Sequence, residues 1–162
     1  MNYLFIDKTS VCDGDGVRTV LWVSGCSCQC HGCQNPESWD FNAGKPFTNQ
    51  VKQQLFEYLN KPFISGVTLS GGHPLDRRNI DVVTALAKEI KYRFPQKTIW
   101  IYTGYIWDDV KQFECMKYTD VLIDGAFVES LKDITLQFRG SSNQRIIDVQ
   151  KSLQIGDVVL WQ

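Results

Sequence analysis

Short apolar segments that suit β-strands alternate along this chain with segments that suit amphipathic helices. The predicted strands span residues 17–24, 64–70, 98–103 and 121–124. One helix begins after Thr48 and another after Asp76 or Asn79, each with apolar residues spaced three and four apart. Strands that alternate with helices form parallel pairs joined by right-handed crossovers. The sequence therefore predicts an α/β fold built on parallel strands.

The length of the chain limits which α/β fold it can form. A complete eight-stranded βα barrel takes about 250 residues, whereas this chain has 162. We therefore expect a single domain over residues 1–162, folded as a partial (incomplete) TIM-like βα barrel whose parallel strands line a ligand site. A short helix is predicted at 108–116, and late strands at 145–149 and 158–161. The residues from about 149 to 162 form a C-terminal extension to which the sequence assigns no function.

Glycine residues follow each predicted strand. Gly25, Gly71, Gly104 and Gly125 stand just beyond the four strand ends. In parallel α/β folds the carboxyl ends of the strands meet at one edge, and ligands bind there. Gly71 is followed by Gly72, and paired glycines let the backbone approach a ligand closely, although such a pair also marks simple turns. We expect the functional site at this edge.

Four of the six cysteines fall within eight residues of a loop at about 25–47, and they are Cys26, Cys28, Cys30 and Cys33. A disulfide framework joins distant parts of a chain, so this clustering is more typical of a metal site. The spacing Cys26-x-x-x-Cys30-x-x-Cys33 offers three thiolates to three irons of a [4Fe–4S] cubane and leaves the fourth iron without a protein ligand. An open coordination position lets a metal site bind a substrate.

A structural zinc site is the alternative use of these thiols. All four cysteines could supply a tetrahedral four-thiolate site in a small zinc-binding module. However, the Cys26-x-Cys28-x-Cys30 alternation is tighter than ordinary zinc pairs, and the usual second Cys-x-x-Cys is missing. The spacing favours the cluster. The two histidines, His31 and His73, lie beside the cysteine and glycine loops, and each is either a functional group or an exposed polar residue.

Charge and hydropathy exclude several classes of partner. Lys and Arg number 17 against 18 Asp and Glu, a net charge of −1, so the chain has no basic footprint for nucleic acid. The longest apolar runs, such as 20–23, are far too short to span a bilayer. The first ten residues contain Asp7 and Lys8 and lack the apolar core of a signal peptide. We therefore expect a cytoplasmic protein with neither nucleic acid nor membrane as a partner.

Taken together, the motifs resemble those of radical S-adenosylmethionine (SAM) enzymes, and specifically the activating enzymes of anaerobic (class III) ribonucleoside-triphosphate reductases. The resemblance runs from Met1 to about Asp148, and the Cys-x-x-x-Cys-x-x-Cys triad marks the superfamily with high specificity. The residues that carry it are 13–18 (DGDGVR), 23–26 (VSGC), 30–33 (CHGC), 70–75 (SGGHPL), 99–105 (IWIYTGY), 121–125 (VLIDG) and 138–145 (FRGSSNQR).

The chain departs from the family pattern at four positions. His73 follows the paired glycines where the family usually has Asp, and Cys28 is an additional thiol inside the cysteine triad. Gln34 stands where an aromatic residue is common, and Ala126 where a Lys is often found. The resemblance therefore leaves the roles of Cys28 and His73 open.

The resemblance implies a partial barrel of the radical SAM type with two cofactors, a [4Fe–4S] cluster and SAM. In this family SAM chelates the open iron and the reduced cluster cleaves SAM to a 5′-deoxyadenosyl radical, so no catalytic side chain beyond the cluster is implied. The radical takes a hydrogen atom from a glycine on a loop of the large reductase subunit, which then stores a glycyl radical. The electron comes from a donor such as flavodoxin.

The resemblance also implies roles for individual residues. The implied cluster ligands are Cys26, Cys30 and Cys33. The residues implied to lie around SAM are Gly32, Cys33 and Gln34. Gly71 and Gly72 are implied to hold the methionine end of SAM, and Asp124 to contact its nucleoside. An activase of another glycyl radical enzyme, such as pyruvate formate-lyase, is the alternative, and the stretch 139–144 argues against it.

Overall fold

Seven strands and four α-helices make up the fold, and the computed structural model describes every residue from 1 to 162. The strands are β1 (Asn2–Ser10), β2 (Arg18–Val23), β3 (Lys45–Pro46), β4 (Gly66–Gly71), β5 (Thr98–Tyr102), β6 (Val121–Asp124) and β7 (Arg145–Asp148). The helices are α1 (Asn49–Leu59), α2 (Ile80–Arg93), α3 (Trp107–Val110) and α4 (Val149–Ile155). Short 3₁₀ helices lie at Pro36–Ser38, Glu114–Lys117 and Glu129–Leu131. None of the helices combines the length and the apolar composition needed to cross a bilayer.

All seven strands belong to one sheet with the order β3-β1-β2-β4-β5-β6-β7. The four central strands, β2, β4, β5 and β6, run parallel to one another, as the alternation of strands and helices predicts. The two edges are antiparallel, because β1 pairs with β2 and β3, and β7 pairs with β6. The fold is therefore mixed α/β, and its parallel centre brings four strand ends to one edge of the sheet.

The longest strand, β1, is one that the sequence analysis does not predict. Its side chains are mostly half-buried, and Asp7 and Lys8 interrupt its apolar residues. It therefore lacks the strict alternation that marks a strand with one buried face. The strand forms beside β2, with a register shift between Asp7 and Ser10. A position near the edge of the sheet tolerates charged side chains that a central strand would exclude.

The two long helices lie where the sequence predicts them. Helix α1 begins after Thr48, whose Oγ1 accepts a hydrogen bond from the Val51 N–H at 3.4 Å, so the predicted cap is confirmed. Helix α2 begins at Ile80, and its N-cap residue Asn79 makes no side-chain capping bond. That side chain binds elsewhere, as described below for the site.

Two shorter predictions differ from the structure. The helix predicted at 108–116 is split into α3 and the 3₁₀ helix Glu114–Lys117, because Phe113 between them adopts extended backbone angles. The late strand predicted at 158–161 forms only one isolated bridge, from Leu160 to Ile147. The adjacent β7 is only four residues long, so it offers little backbone for further pairing.

One face of the sheet, here called the helix face, is apolar across five strands. In-register neighbours form a single buried row of Leu21, Leu69, Ile101, Leu122 and Ile147. The apolar sides of α1 and α2 belong with this row to one cluster of 22 buried residues. Because apolar burial is the main favourable term in folding, this face supplies most of the stability of the domain.

The opposite face, here called the cavity face, is only partly filled. A cluster of four buried apolar residues around Trp100 lies on it, and Phe138 and Trp161 pack against that cluster. Near the carboxyl ends of the strands, Trp22 and Tyr102 on this face line a cavity instead of a packed core. The same strands therefore support a core on one face and a site on the other.

Candidate metal centre

A cavity of about 490 Å³ opens at the carboxyl edge of the parallel strands. Its walls come from the loops that follow β2, β4, β5 and β6, together with the segment 132–140. The predicted site residues on these walls are Cys26, Cys30, Cys33, Gln34, Gly71 and Gly72. Two motifs that are far apart in the sequence therefore meet at the edge where the sequence analysis expects a ligand.

Main-chain hydrogen bonds fix the cysteine loop to this edge. The Gly25 N–H donates to Ser38 O at 2.7 Å, which closes the loop on itself. The Cys26 N–H donates to Trp39 O at 3.1 Å, one residue farther along. The His73 N–H donates to Gly25 O at 2.8 Å and joins the loop to the residues that follow β4. The first thiol of the triad therefore has a defined backbone position.

Two buried side chains after β4 reinforce this junction. The Asn79 amide donates to the Ser24 and His73 carbonyls at 3.0 and 3.1 Å. The Asp76 carboxylate accepts a hydrogen bond from the Ser27 hydroxyl at 2.6 Å. Both residues are candidate helix caps by sequence, but in the structure their side chains tie the two loops of the site together.

The paired glycines allow the end of β4 to lie directly against the cysteine loop. Gly71 has a φ of +98°, a conformation that residues with a Cβ rarely adopt. A Cβ on Gly72 would lie 2.6 Å from Gly25 O and 2.9 Å from Ser38 O. Glycine is therefore required here for chain packing, and the backbone of both residues also forms part of the cavity wall.

Hydrogen bonding between neighbouring thiols separates their pKa values. The Cys28 thiol donates to Cys26, which lowers the pKa of Cys26 to about 6 and raises the pKa of Cys28. Burial raises the pKa of Cys30, and Cys33 Sγ accepts the Asn35 N–H at 3.4 Å. Because the thiolate is the form that binds metals, this hydrogen bond favours the ligating form of Cys26.

The positions of the sulfurs bear on the zinc alternative. Ligands of one tetrahedral zinc lie close together, because the Zn–S distance is about 2.3 Å. One group of three ligand atoms lies within 4.8 Å of one another, but it consists of Cys26, Cys28 and His73. Cys30 and Cys33 lie outside this group, so the four thiols do not converge on one ion. The structure therefore does not gather the four thiols as a zinc site would require, and the cluster triad stays a prediction.

Of the two histidines, His73 lies in the site and is buried, with 1% of its surface exposed. Its Nε2 is 2.7 Å from Thr103 Oγ1, and its Nδ1 is 3.6 Å from Cys28 Sγ. Burial lowers the pKa of His73 to about 4, so its imidazole is neutral at neutral pH. His31 is exposed instead, with Nδ1 2.8 Å from Glu129 Oε2. The two departures from the family pattern, Cys28 and His73, are therefore in contact.

Two residues predicted to contact SAM lie off the cavity wall. Gly32 adopts a φ of +70° in the turn of the cysteine loop. Asp124 is buried at the end of β6, where its carboxylate accepts hydrogen bonds from the Trp107 N–H (2.8 Å) and from the Arg145 guanidinium. The next residue, Gly125, does line the cavity. Contacts of Gly32 and Asp124 with SAM therefore stay predictions.

The cavity wall contains a set of N–H donors that no sequence motif predicts. Trp22 Nε1, Trp39 Nε1 and Arg139 Nε are buried atoms without a hydrogen-bond partner in the protein, and all three residues line the cavity. Buried donors are normally paired, so this wall fits a ligand rich in acceptors, such as the carboxylate, ribose and adenine of SAM. No spacing rule marks the two tryptophans, and Arg139 stood out only as part of the 139–144 motif.

Comparison with known proteins agrees with this geometry. The family model described as a 4Fe–4S single cluster domain matches residues 12–147. The anaerobic ribonucleoside-triphosphate reductase-activating protein of Enterobacteria phage T4 is 42% identical, over 90% of this chain and 93% of the relative. Proteins of the same name from Haemophilus influenzae and Escherichia coli (strain K12) are 43% and 40% identical, over 90% and 89% of this chain and 97% and 96% of the relatives. This chain therefore belongs to the family of anaerobic ribonucleoside-triphosphate reductase-activating proteins, as its motifs predict.

Proposed function

We propose that this protein activates an anaerobic ribonucleoside-triphosphate reductase by generating a glycyl radical on a loop of the large reductase subunit. The names of its relatives and its 4Fe–4S domain support an activating enzyme that uses an iron–sulfur cluster. The observation that carries the proposal is the meeting of the cysteine triad and the Gly71-Gly72 pair at one cavity. When bound, the cluster and SAM together supply the 5′-deoxyadenosyl radical that takes the hydrogen atom.

Cys26, Cys30 and Cys33 hold the cluster in this proposal. All three are free, half-buried cysteines on the cavity wall. Three aspects of the loop prepare them: the main-chain bonds that close it, the lowered pKa of Cys26, and the Asn35 N–H on Cys33 Sγ. Cys28 is not needed as a cluster ligand, because the triad already serves three irons and SAM serves the fourth.

The backbone of Gly71 and Gly72 orients the methionine end of SAM, since it forms the wall next to the cysteine loop. Cys33 and Gln34 lie against the same ligand, and Gly32 shapes the turn that carries them. The unpaired N–H groups of Trp22, Trp39 and Arg139 donate to the acceptors of SAM. These residues bind and orient SAM and exclude water from it.

Asp124 serves the nucleoside end of SAM in this proposal. Both oxygens of its carboxylate are engaged by Arg145 and the Trp107 N–H. Asp124 thereby fixes the end of β6, where Gly125 reaches the cavity wall. Its contribution to the nucleoside contact is therefore the positioning of the neighbouring backbone.

The fold in this proposal is one domain over 1–162, a partial barrel of the radical SAM type. Its support is the group of four parallel strands with the site at their carboxyl edge. A protein substrate needs an open side through which a loop can reach the cluster. The segment 132–140 offers one, because Ile134 lies at the cavity and is 89% exposed. We place the glycine-bearing loop of the reductase there.

A flavodoxin-type donor supplies the electron in this proposal, and the protein works in the cytoplasm. The six free cysteines support a reducing compartment, because disulfides are rare there. The absence of a basic charge excess fits a protein substrate, not a nucleic acid.

Anaerobic reconstitution followed by electron paramagnetic resonance tests the proposal. The reconstituted protein should be brown and oxygen-sensitive and contain about four irons per chain. With SAM, a one-electron reductant and its cognate reductase, it should produce a glycine-centred radical on the partner. A radical on pyruvate formate-lyase but none on the reductase would transfer the function to the alternative partner. Stoichiometric zinc without visible absorption, even after reconstitution, would contradict the cluster itself.

A matched pair of cysteine variants separates cluster ligation from general damage. Cys30→Ala should abolish the stable cluster, because one iron loses its protein ligand. Cys12→Ser should retain the iron, because Cys12 lies at the same cavity but outside the triad. Iron content and visible absorption after reconstitution provide the measurement. Equal loss of iron in both variants would count against the assigned triad.

A further inference from the structure

We propose that Cys26, Cys28 and His73 form a binding site for one soft divalent cation, such as Zn²⁺, in the cluster-free protein, and that this ion and the [4Fe–4S] cluster exclude each other. The inference rests on the proposed function only in taking Cys26 as a cluster ligand. Its starting point is geometric. The two sulfurs and one imidazole nitrogen all lie within 4.8 Å of one another, although they come from two loops that are 45 residues apart.

The spacing of these three atoms is close to that of a mononuclear site. Zinc binds sulfur at about 2.3 Å and nitrogen at about 2.0–2.1 Å, so tetrahedral ligands lie roughly 3.5–3.8 Å from one another. Cys28 Sγ is already 3.6 Å from His73 Nδ1. Only small side-chain movements are therefore needed to place one ion between the three atoms.

The chemistry of the donor set selects the cation. Two thiolates and a neutral imidazole suit Zn²⁺ and its spectroscopic substitute Co²⁺, whereas Mg²⁺ and Ca²⁺ prefer oxygen ligands. Both sulfurs bind as thiolates, so any proton still on either thiol is released to solvent, and no oxidation state changes. Three protein ligands leave the fourth position of a tetrahedral ion for water.

The histidine is held in the orientation that a metal ligand requires. Histidine ligands usually use their second ring nitrogen for a hydrogen bond that fixes the ring. Here His73 Nε2 is bonded to Thr103 Oγ1 at 2.7 Å, and the ring packs edge-on against Tyr105 with centroids 4.4 Å apart. The His73 backbone N–H is bonded to Gly25 O. Nδ1 therefore faces the thiols whether or not a metal is bound.

Cys28 is also held in place by the fold. Its Sγ packs on the backbone of Gly104, where a Cβ would lie only 2.7 Å from that sulfur. The loop after β5 thus provides room for this thiol and directs it toward His73.

Sharing of Cys26 makes the two metal states exclusive. Cys30 and Cys33 lie outside the mononuclear group, whereas the cluster needs both of them together with Cys26. A zinc ion on Cys26 therefore removes one cluster ligand, and a bound cluster removes one zinc ligand. The structure thereby assigns zinc the role of an inhibitor of cluster assembly.

Titration of the full-length, cluster-free protein with Co²⁺ under anaerobic, reducing conditions tests the site. We expect one Co²⁺ per chain, the intense visible bands of a tetrahedral thiolate complex, and displacement by one equivalent of Zn²⁺. Absence of these bands, or a stoichiometry other than one, would overturn the proposal. Neither SAM nor the reductase is required, so the result does not depend on the proposed activity.

Four variants distinguish the mononuclear site from the cluster triad. Cys28→Ser and His73→Asn should each weaken Co²⁺ binding by more than about 100-fold, since loss of even an outer-shell partner costs about 10–100-fold. Both should retain iron after reconstitution. Cys30→Ser and Cys33→Ser should do the reverse, with Co²⁺ binding unchanged and no stable cluster. Circular dichroism establishes that each variant is folded. Weakening of Co²⁺ binding to the same extent in all four would indicate a site shared by all the clustered thiols and overturn the proposal.

Competition between the two metals completes the test. One equivalent of Zn²⁺ added before reconstitution should block iron uptake by the native chain. The same addition should have little effect on Cys28→Ser, which keeps the triad but loses the zinc site. Equal inhibition of both proteins would show that zinc acts through the triad, and it would overturn the role assigned to Cys28.

Discussion

The helix face and the cavity face of the sheet are built from the same strands but contain different residues. On the helix face, Leu21, Leu69 and Ile101 stand in register and are fully buried under α1 and α2. On the cavity face, the adjacent positions include Thr68 and a fully buried arginine, Arg18. The helix face is built around an apolar row that crosses five strands, whereas the cavity face combines aromatic, hydroxyl and charged groups.

The difference shows how this small domain separates stability from function. The buried row of the helix face consists of aliphatic side chains with no polar group to satisfy, so its burial contributes directly to folding. Polar groups on the cavity face are costly to bury unless they are hydrogen-bonded. In the cavity at the carboxyl ends of the strands, three buried N–H donors have no partner within the protein. Substitutions on the helix face should therefore reduce stability, whereas those on the cavity face should also change ligand binding.

Leu69→Ala is expected to cause the largest loss of stability. Leu69 is 0% exposed in the middle of the buried row on β4, and truncation of such a residue leaves a cavity. The free energy of unfolding should fall by about 3 kcal/mol, measured by chemical denaturation. Ile134→Ala is the control, since that side chain is 89% exposed. A loss below about 1 kcal/mol for Leu69→Ala, close to the usual range of surface substitutions, would contradict the assignment of stability to the helix face.

Arg18→Met should have the second largest effect. Arg18 is 0% exposed and donates to Thr68 Oγ1 and Thr98 Oγ1 at 2.8 and 2.9 Å, and its guanidinium lies 5.1 Å from the centroid of the Trp100 ring. Burial lowers the pKa of Arg18 to about 10, so it remains charged at neutral pH. Methionine fills similar space and removes a costly buried charge, but it leaves the acceptors unpaired. The expected net loss is about 2 kcal/mol.

Arg77→Met provides the control for this measurement, because Arg77 is exposed on the loop before α2. Its unfolding free energy should stay within about 0.5 kcal/mol of the native value. If Arg18→Met is instead more stable than the native protein, the buried arginine costs more than its hydrogen bonds return. The cavity face would then contribute even less to the free energy of unfolding, relative to the helix face.

The helix face was predictable from sequence and much of the cavity face was not, for physical reasons. Apolar spacing placed α1 and α2 with the correct inner faces, because that spacing depends only on neighbours along the chain. Arg18 carried no such signal: it ends the segment 13–18, which is typical of a turn before a strand. Its burial depends on Thr68 and Thr98, 50 and 80 residues away.

The site likewise combines features that local sequence predicts with features that depend on the tertiary fold. The spacing of Cys26, Cys30 and Cys33 is local, and it predicted a metal loop that the structure places on the cavity wall. The contact between Cys28 and His73 is not local, since it forms only when β2 and β4 lie side by side. Sequence could identify each residue as unusual but could not show that they meet.

Trp161→Ala should have a moderate effect, and it tests the C-terminal extension. The Trp161 ring packs at 5.0 Å from Trp100 and 6.3 Å from Phe138 by ring centroids. The residue is only half-buried, so the loss of stability should be about 1–2 kcal/mol, below that of a core tryptophan. Tyr92→Ala, at a residue that is 88% exposed, is the control. The C-terminal extension thus covers the part of the cavity face around Trp100, a structural role that the sequence does not indicate.

Trp161→Ala should also weaken SAM binding. Phe138 has a φ of +58°, and its carbonyl accepts a hydrogen bond from the Tyr102 hydroxyl at 2.7 Å. The next residue is Arg139, one of the unpaired donors of the cavity. Loss of the Trp161 ring should loosen this segment and raise the Kd for SAM, measured by calorimetry on the reconstituted protein. An unchanged Kd together with lower stability would restrict Trp161 to a packing role.

Glu89→Gln should have the smallest effect, because it acts on the solvent side of the helices. Glu89 on α2 lies 2.7 Å from Lys52 on α1 and 2.8 Å from Arg93, and it retains 27% side-chain exposure. Exposed ion pairs contribute about 0–1 kcal/mol, so the variant should lose less than about 1 kcal/mol at neutral pH. Added salt should reduce that difference further.

The pH dependence of this small difference distinguishes an ion pair from a packing effect. The hydrogen bond from Lys52 lowers the pKa of Glu89 below its ordinary value of 4.5. A depressed carboxyl pKa stabilises the folded state above the unfolded pKa, and the contribution is lost as the pH falls through the folded value. The native protein and Glu89→Gln should therefore differ in unfolding free energy at pH 7 and converge once the pH falls below the lowered pKa of Glu89 in the folded state. A difference that persists at low pH would mean that Glu89 contributes through packing between α1 and α2. The solvent-exposed side of these helices would then contribute to the free energy of unfolding by packing, as the core beneath them does.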